Sequence, residues 1–237
     1  MMKKLNILAA AAVLLSLSSC MVRIDNKAVR GLESGIVVAN GVLVSEHRNL
    51  PAFDNIAVKG SLDLNFVQRE GEAGIDIEIS ENILPYLLSE VEDGTLTVCF
   101  HSDSIGSFTT GKSNITVYAP DLSGVMVAGS GDFNCFSLSH SGDFSVAIAG
   151  SGDTSLSDLH CDGLNLSVAG SGDIKAQDVV AGSVTVAIAG SGDVTLSGTA
   201  ESADYSVVGS GDIRASGLKV SGSVSQSVRG SGDIITK

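Results

Sequence analysis

The tetrapeptide Gly-Ser-Gly-Asp occurs six times in the second half of this chain, beginning at Gly129, Gly150, Gly170, Gly190, Gly209 and Gly230, at steps of 21, 20, 20, 19 and 21 residues. A turn sequence repeated at a period of about 20 residues marks a stacked, solenoidal architecture. Two residues before each first glycine stand Val127, Ile148, Val168, Ile188, Val207 and Val228, all β-branched. Four residues after it stand Phe133, Thr154, Ile174, Val194, Ile213 and Ile234. These columns keep a period of two straight through the turn, which is strand periodicity. Both glycines fall on the same inward parity, where the absence of a Cβ leaves room for a tight corner. Each repeat therefore predicts a strand, a corner, a second strand and a looser polar return. One such unit cannot bury its apolar side alone, but stacked copies share a continuous core. The fold class is all-β, a parallel β-helix (β-solenoid) with rungs of about 20 residues.

Stacking places like residues about 4.8 Å apart along the axis. Asp132, Asp153, Asp173, Asp193, Asp212 and Asp233 then form a column of carboxylates. Neighbours at that spacing repel by about 0.9 kcal/mol in water and by more beside a low-dielectric wall. Two things can offset this. The turn itself can, if each Asp accepts hydrogen bonds from nearby backbone N–H groups. A row of cations can, with Ca²⁺ the best suited to carboxylate and carbonyl oxygens. Ca²⁺ is the sole cofactor candidate, and the repeat differs in spacing from the nine-residue calcium-binding β-roll.

The chain divides into four stretches. Residues 1–19 carry Lys3 and Lys4, an apolar run from Leu5 to Leu17 and then small residues, a secretory leader. Leu17-Ser18-Ser19-Cys20 looks like a bacterial lipobox, making Cys20 the lipidated N-terminus of the exported protein. Acyl chains there would hold it stably at a membrane. That address is the envelope of a Gram-negative cell, with the outer membrane expected. Residues 20–47 are a lead-in or tether, with a hairpin expected around Asn40-Gly41. Residues 48–118 alternate as further strands, the N-terminal β-rich part of the solenoid, with one short helix expected over Asn82 to Glu90, capped by Ser80 and limited by Pro85. Residues 119–237 hold the repeats.

Three stretches together resemble a known family: Arg48 to Gly60, Glu92-Asp93-Gly94-Thr95-Leu96, and the Gly-Ser-Gly-Asp repeats. They are similar to the auto-transporter adhesin head GIN domain family, over about residues 40 to 237. The resemblance implies a right-handed β-helix on secreted or lipid-anchored bacterial proteins and an adhesin role, and it brings no catalytic residues.

Chemistry is otherwise sparse. The net charge is −13, and losing Lys3 and Lys4 with the leader takes it to −15. That excludes nucleic-acid binding, which needs a basic face. Cys99, Cys135 and Cys161 leave an odd number of thiols after Cys20. Cys135 falls in an inward column, and a Cys99–Cys161 or Cys135–Cys161 bridge stays open. His101, His140 and His160 lack paired zinc-ligand spacing. No Gly-x-Ser-x-Gly elbow sits between a strand and a helix. The enzyme alternative is a polysaccharide lyase or hydrolase, since β-helices host such activities. It wants aromatic platforms, and Trp is absent.

The outward residues before each corner are mostly small, among them Ala128, Ala149, Ala169 and Ala189. Stacked, they form a flat strip beside the acidic column, a candidate interface for another protein or a second copy in a homodimer. Asp103-Ser104-Ile105 resembles a short O-glycosylation acceptor. The reading is a non-enzymatic, lipid-anchored binding or structural module whose ligand, protein or glycan, the sequence does not name.

Overall fold

The computed structural model describes residues 36–101, 107–109 and 111–237. The leader, Cys20 and Asp103-Ser104-Ile105 lie outside the described residues. Nine of the described strands precede the repeats: β1 (Ile36–Val38), β2 (Leu43–Asn49), β3 (Asn55–Gly60), β4 (Leu64–Gln68), β5 (Gly74–Ser80), β6 (Leu87–Glu92), β7 (Thr95–Phe100), β8 (Ser107–Thr109) and β9 (Asn114–Ala119). Eleven follow: β10 (Gly124–Gly129), β11 (Phe133–Cys135), β12 (Leu138–Ser139), β13 (Asp143–Gly150), β14 (Thr154–Ser157), β15 (Leu159–Gly170), β16 (Ile174–Gly190), β17 (Val194–Gly209), β18 (Ile213–Val220), β19 (Val224–Gly230) and β20 (Ile234–Ile235).

The repeats stack as parallel rungs of a β-solenoid. Before each corner, β10, β13, β15, β16, β17 and β19 pair in parallel with glycine on glycine, from Gly129↔Gly150 to Gly209↔Gly230. After each corner, β11, β14, β16, β17, β18 and β20 pair likewise. The corner is fixed by a shared acceptor: Ser151 N–H and Gly152 N–H both donate to Gly129 O, at 2.8 and 3.1 Å. The same pair of bonds recurs one rung on, from Ser171 and Gly172 to Gly150 O. Inside, Val125, Val146, Leu166, Val186 and Tyr205 form one buried ladder and Val127, Ile148, Val168, Ile188 and Val207 another. Each fully buried aliphatic side chain of this kind contributes about 1.5–3 kcal/mol.

The rungs begin earlier than the intact tetrapeptide does. Strands β3 and β4 flank Gly60-Ser61-Leu62-Asp63 and pair in parallel with β10 and β11, Gly129↔Gly60 and Phe133↔Leu64. Strands β7 and β9 extend the stack in parallel beyond β3 and β4, and β2, β5 and β6 close its end. There β2 pairs antiparallel with β5, β5 antiparallel with β9, and β9 parallel with β4. On the adjoining side β7 lies parallel on β3, and β6 folds back antiparallel on β7. The β6–β7 turn is Asp93-Gly94, with φ of 48° and 74°, the left-handed pair that a tight hairpin requires. Antiparallel strands over a solenoid end shield a row of backbone groups that would otherwise template another chain.

Three sequence expectations change. The helix over Asn82 to Glu90 is a single 3₁₀ turn, Leu84–Tyr86, and Leu87–Glu92 is strand β6. Ser80 does not cap it; its side chain is buried and its hydroxyl has no partner among the described residues. Pairing with β7 overrides the local helical spacing of Ile83, Leu84, Leu87 and Leu88. The Asn40-Gly41 turn does not close a hairpin: β1 pairs with β8, and β2 with β5. Cys99, Cys135 and Cys161 form no disulfide among the described residues. Cys135 is buried in its inward column beside Leu156, as its parity predicts, and burial pushes its thiol up to about 11.

Candidate functional site

The corners bring the six aspartates into one column, and the structure adds a seventh, Asp63. Each backbone N–H donates to the Oδ1 of the preceding Asp: Asp132 to Asp63 at 3.1 Å, then Asp153 to Asp132 and Asp173 to Asp153 at 2.9 Å. The series continues from Asp193 to Asp173 and Asp212 to Asp193 at 2.8 Å, and from Asp233 to Asp212 at 2.9 Å. One oxygen of every inner carboxylate is thus committed to the rung above it. Amide dipoles pointing at each charge offset the repulsion along the column. Arg214 adds a cation, with Nη1 2.6 Å from Asp193 Oδ2 and Nη2 2.9 Å from Asp212 Oδ2. Partial burial would raise the Asp193 carboxyl, but the Arg214 and Asp212 hydrogen bonds and the Arg214 charge hold it below the usual carboxylate range. Among the described residues no group of three or more His, Cys, Asp or Glu converges as a metal cluster would.

The small-residue strip is present as a ladder in register. Lys59, Ala128, Ala149, Ala169, Ala189, Val208 and Arg229 follow one another from rung to rung. The alanines are half-buried except the exposed Ala189, and a basic residue stands at either end.

Beyond the corner lies the longest face of the molecule. Strands β2, β5, β9, β4, β11, β14, β16, β17, β18 and β20 form one sheet. Nine inter-strand steps make it about 43 Å long. Its outward side chains form parallel rows. One is the acidic row, Glu78, Asn114 and then the aspartates from Asp63. The next runs His47, Asp76, Thr116, Asn65, Asn134, Ser155, Lys175, Thr195, Arg214. Asn134 Nδ2 donates to Asn65 Oδ1 at 3.4 Å, and Asn65 Nδ2 to Asn114 Oδ1 at 3.2 Å.

At the capped end this face carries a cluster that the sequence did not signal, because its members come from four separate segments. Asp76 Oδ1 lies 2.6 Å from His47 Nδ1, and the Tyr118 hydroxyl 2.9 Å from the same nitrogen. The hydrogen bond to Asp76 leads in raising the His47 pKa, with help from Asn49. The Arg69 guanidinium sits 3.5 Å over the Tyr118 ring, a cation–π stack. Gly74 makes the space beneath: a Cβ there would fall 2.5 Å from the Tyr118 hydroxyl oxygen. The remaining histidines are separate, His140 on Asp121 at 2.8 Å and His160 3.4 Å from Asp158. A solvent-open hollow of about 400 Å³ adjoins Asp63 and is lined by Leu43, Ser61, Glu78, Lys112 and Asn114.

A stack of rungs whose outward side chains make long flat ladders is, in class, a β-solenoid. The family described as "Putative auto-transporter adhesin, head GIN domain" matches residues 52–237, and the chain belongs to that family. Solved structures share the fold. One, described as a putative adhesin from Parabacteroides merdae, is 24% identical with a TM-score of 0.74 over 85% of this chain and 99% of that one. Another, described as a putative lipid binding protein from Parabacteroides distasonis, is 24% identical with a TM-score of 0.73 over 84% and 98%. A third, described as a putative adhesin from Bacteroides fragilis, is 25% identical with a TM-score of 0.67 over 84% and 98%. No curated protein matches the chain. The family is described as one of putative adhesins, and the chain is accordingly an adhesin-like module.

Proposed function

We propose that this protein is an exported, non-enzymatic binding module of a Gram-negative cell envelope, anchored at the outer membrane by acyl chains on Cys20. The observation that carries the binding role is the unbroken ten-strand face from β2 to β20, a rigid surface with polar groups repeated at every rung. Such a surface suits recognition of an extended partner, since each rung offers polar side chains at a fixed spacing. The anchor rests on Leu17-Ser18-Ser19-Cys20 after a charged and then apolar leader. No helix among the described residues is long and apolar enough to cross a membrane. Acylation at one cysteine is sufficient for stable attachment when two or more chains are added.

The test is metabolic labelling of the full chain with a palmitate analogue in a Gram-negative host, followed by density separation of the two membranes. Label in the outer-membrane fraction, absent from Cys20→Ser, is the expected outcome. An unlabelled wild-type chain, or a Cys20→Ser chain that sediments with the outer membrane as before, would overturn the anchor.

A further inference from the structure

Phe136 is 69% exposed, the most exposed large apolar side chain among the described residues. The fold does not ask for an aromatic ring there. In the next rungs the equivalent outward positions are Ser157 and Gln177, which pair with each other. On the other side β11 ends at the Cys135↔Phe66 pair, and the residue after each is exposed: Phe136, in the bend just past β11, and Val67, 46% exposed, in β4. Val67 pairs in turn with Tyr118, under the Arg69 guanidinium. Exposed apolar side chains therefore stand just past the last paired residues of β11 and β4 and lead to the Tyr118–Arg69 stack. Along their border run the Asn134 and Asn65 amides, two residues before Phe136 and Val67 on the same outward parity.

Size and rim decide what such a shelf fits. Two exposed apolar side chains in a polar surround fall well short of the about 800 Å² per partner that a standard protein interface buries. A sugar ring presents the matching pattern on its own scale, an apolar C–H face with hydroxyls around its edge. Asn134 offers its Oδ1 and its second Nδ2 hydrogen to those hydroxyls, and Asn65 the second lone pair of its Oδ1. We propose that Phe136 and Val67, bordered by Asn65 and Asn134, form a carbohydrate-binding shelf. One pyranose ring stacks on Phe136, and the glycan chain continues along the amide row. This rests on the adhesion reading and names its ligand class. It requires no reaction at the sugar.

The experiment measures binding of the full chain, purified in detergent, to a surface coated with a mucin glycoprotein, before and after periodate oxidation. Periodate cleaves vicinal diols of the sugars and leaves the polypeptide in place. The same preparation is run on arrays of neutral and of carboxylated oligosaccharides. The expected result is binding that periodate abolishes and that Phe136→Ser weakens by about tenfold or more. Phe136→Ser is compatible with the fold because Ser157 fills the equivalent place one rung on, and an unchanged melting temperature checks this. Val180→Ser, an exposed apolar position elsewhere, serves as the control and leaves binding intact. Binding that survives periodate overturns the shelf while leaving adhesion standing. So does equal binding by wild type and Phe136→Ser, or no binding to the glycoprotein or to any arrayed sugar.

Discussion

Leu62 holds, in the first rung, the place that Gly131 holds in the second. A Cβ at Gly131 would lie 2.0 Å from Leu62 O, whereas Leu62 itself carries a full side chain and is buried in the core. The asymmetry has a direct cause. At the second glycine of each corner the Cβ direction points at the backbone of the preceding corner, and although β7 and β9 lie on β3 and β4, no corner precedes the first one. The corner glycine is the same: Gly129 would meet Gly60 O at 2.2 Å, and Gly60 would meet nothing within 4 Å. Glycine is demanded by the neighbour as much as by the turn.

Gly131→Ala is therefore expected to cost about 3 kcal/mol or more, because the clash is with backbone that cannot move aside. Gly60→Ala, strained only by its φ of +92°, is expected to cost about 1–2 kcal/mol. Urea unfolding of the full chain, followed by circular dichroism, ranks the two. A loss at Gly131→Ala no larger than at Gly60→Ala would mean that the neighbouring rung does not select the glycine, since Gly131 has no left-handed φ to strain.

Asp153 accepts the Asp173 N–H and repels its two neighbours in the column. Asp153→Ala removes the acceptor and is expected to destabilise by about 1 kcal/mol. Asp153→Asn keeps an acceptor and removes a charge, so it is expected to be neutral or slightly stabilising. The same account predicts no saturable rise in melting temperature with Ca²⁺ over chelator, since Oδ1 of each inner Asp is already engaged. A saturating rise, abolished in Asp153→Asn, would make the column a cation ladder.

Two ion pairs set opposite pH windows. The Asp193 carboxyl is held below its ordinary value, so its contribution is fully present above about pH 4 and is lost as pH falls through its lowered value. His47 is raised above 6.5, so its contribution is fully present below that value and fades as pH climbs through the raised one. Arg214→Met is expected to lower the melting temperature at neutral pH and to matter least in strong acid. His47→Gln is expected to cost more at about pH 5 than at about pH 9. Proton titration of His47 by NMR checks the direction, and a value below that of a free histidine would contradict it.

The solenoid was legible because six intact corners share a period and a parity, and both survive into the structure as ladders. The Asp column was legible for the same reason. The first rung was hidden by Leu62, one departure from the tetrapeptide at the place where the stack permits it; Ile56, Val58, Leu64 and Phe66 keep the inward parity and carried the signal. The cap was not legible, since β5 finds β9 and β2 finds β5 across long loops with no local code. Hairpin pairing with β7 turned a helical spacing at Leu87 and Leu88 into strand β6. The His47, Asp76, Tyr118 and Arg69 cluster and the Phe136 shelf arise only where separate segments meet on one face.

The proposed role, binding at the cell surface, is testable on whole cells. The most direct measurement compares retention of Gram-negative cells on a glycoprotein-coated surface under flow, with the full chain or its Cys20→Ser variant expressed at equal level. Protease shaving of intact cells reports exposure in the same experiment. The account predicts that cells bearing the surface-exposed wild-type chain are retained several times better than Cys20→Ser cells. Equal retention of both, with the wild-type chain removed by shaving and hence exposed, would contradict it.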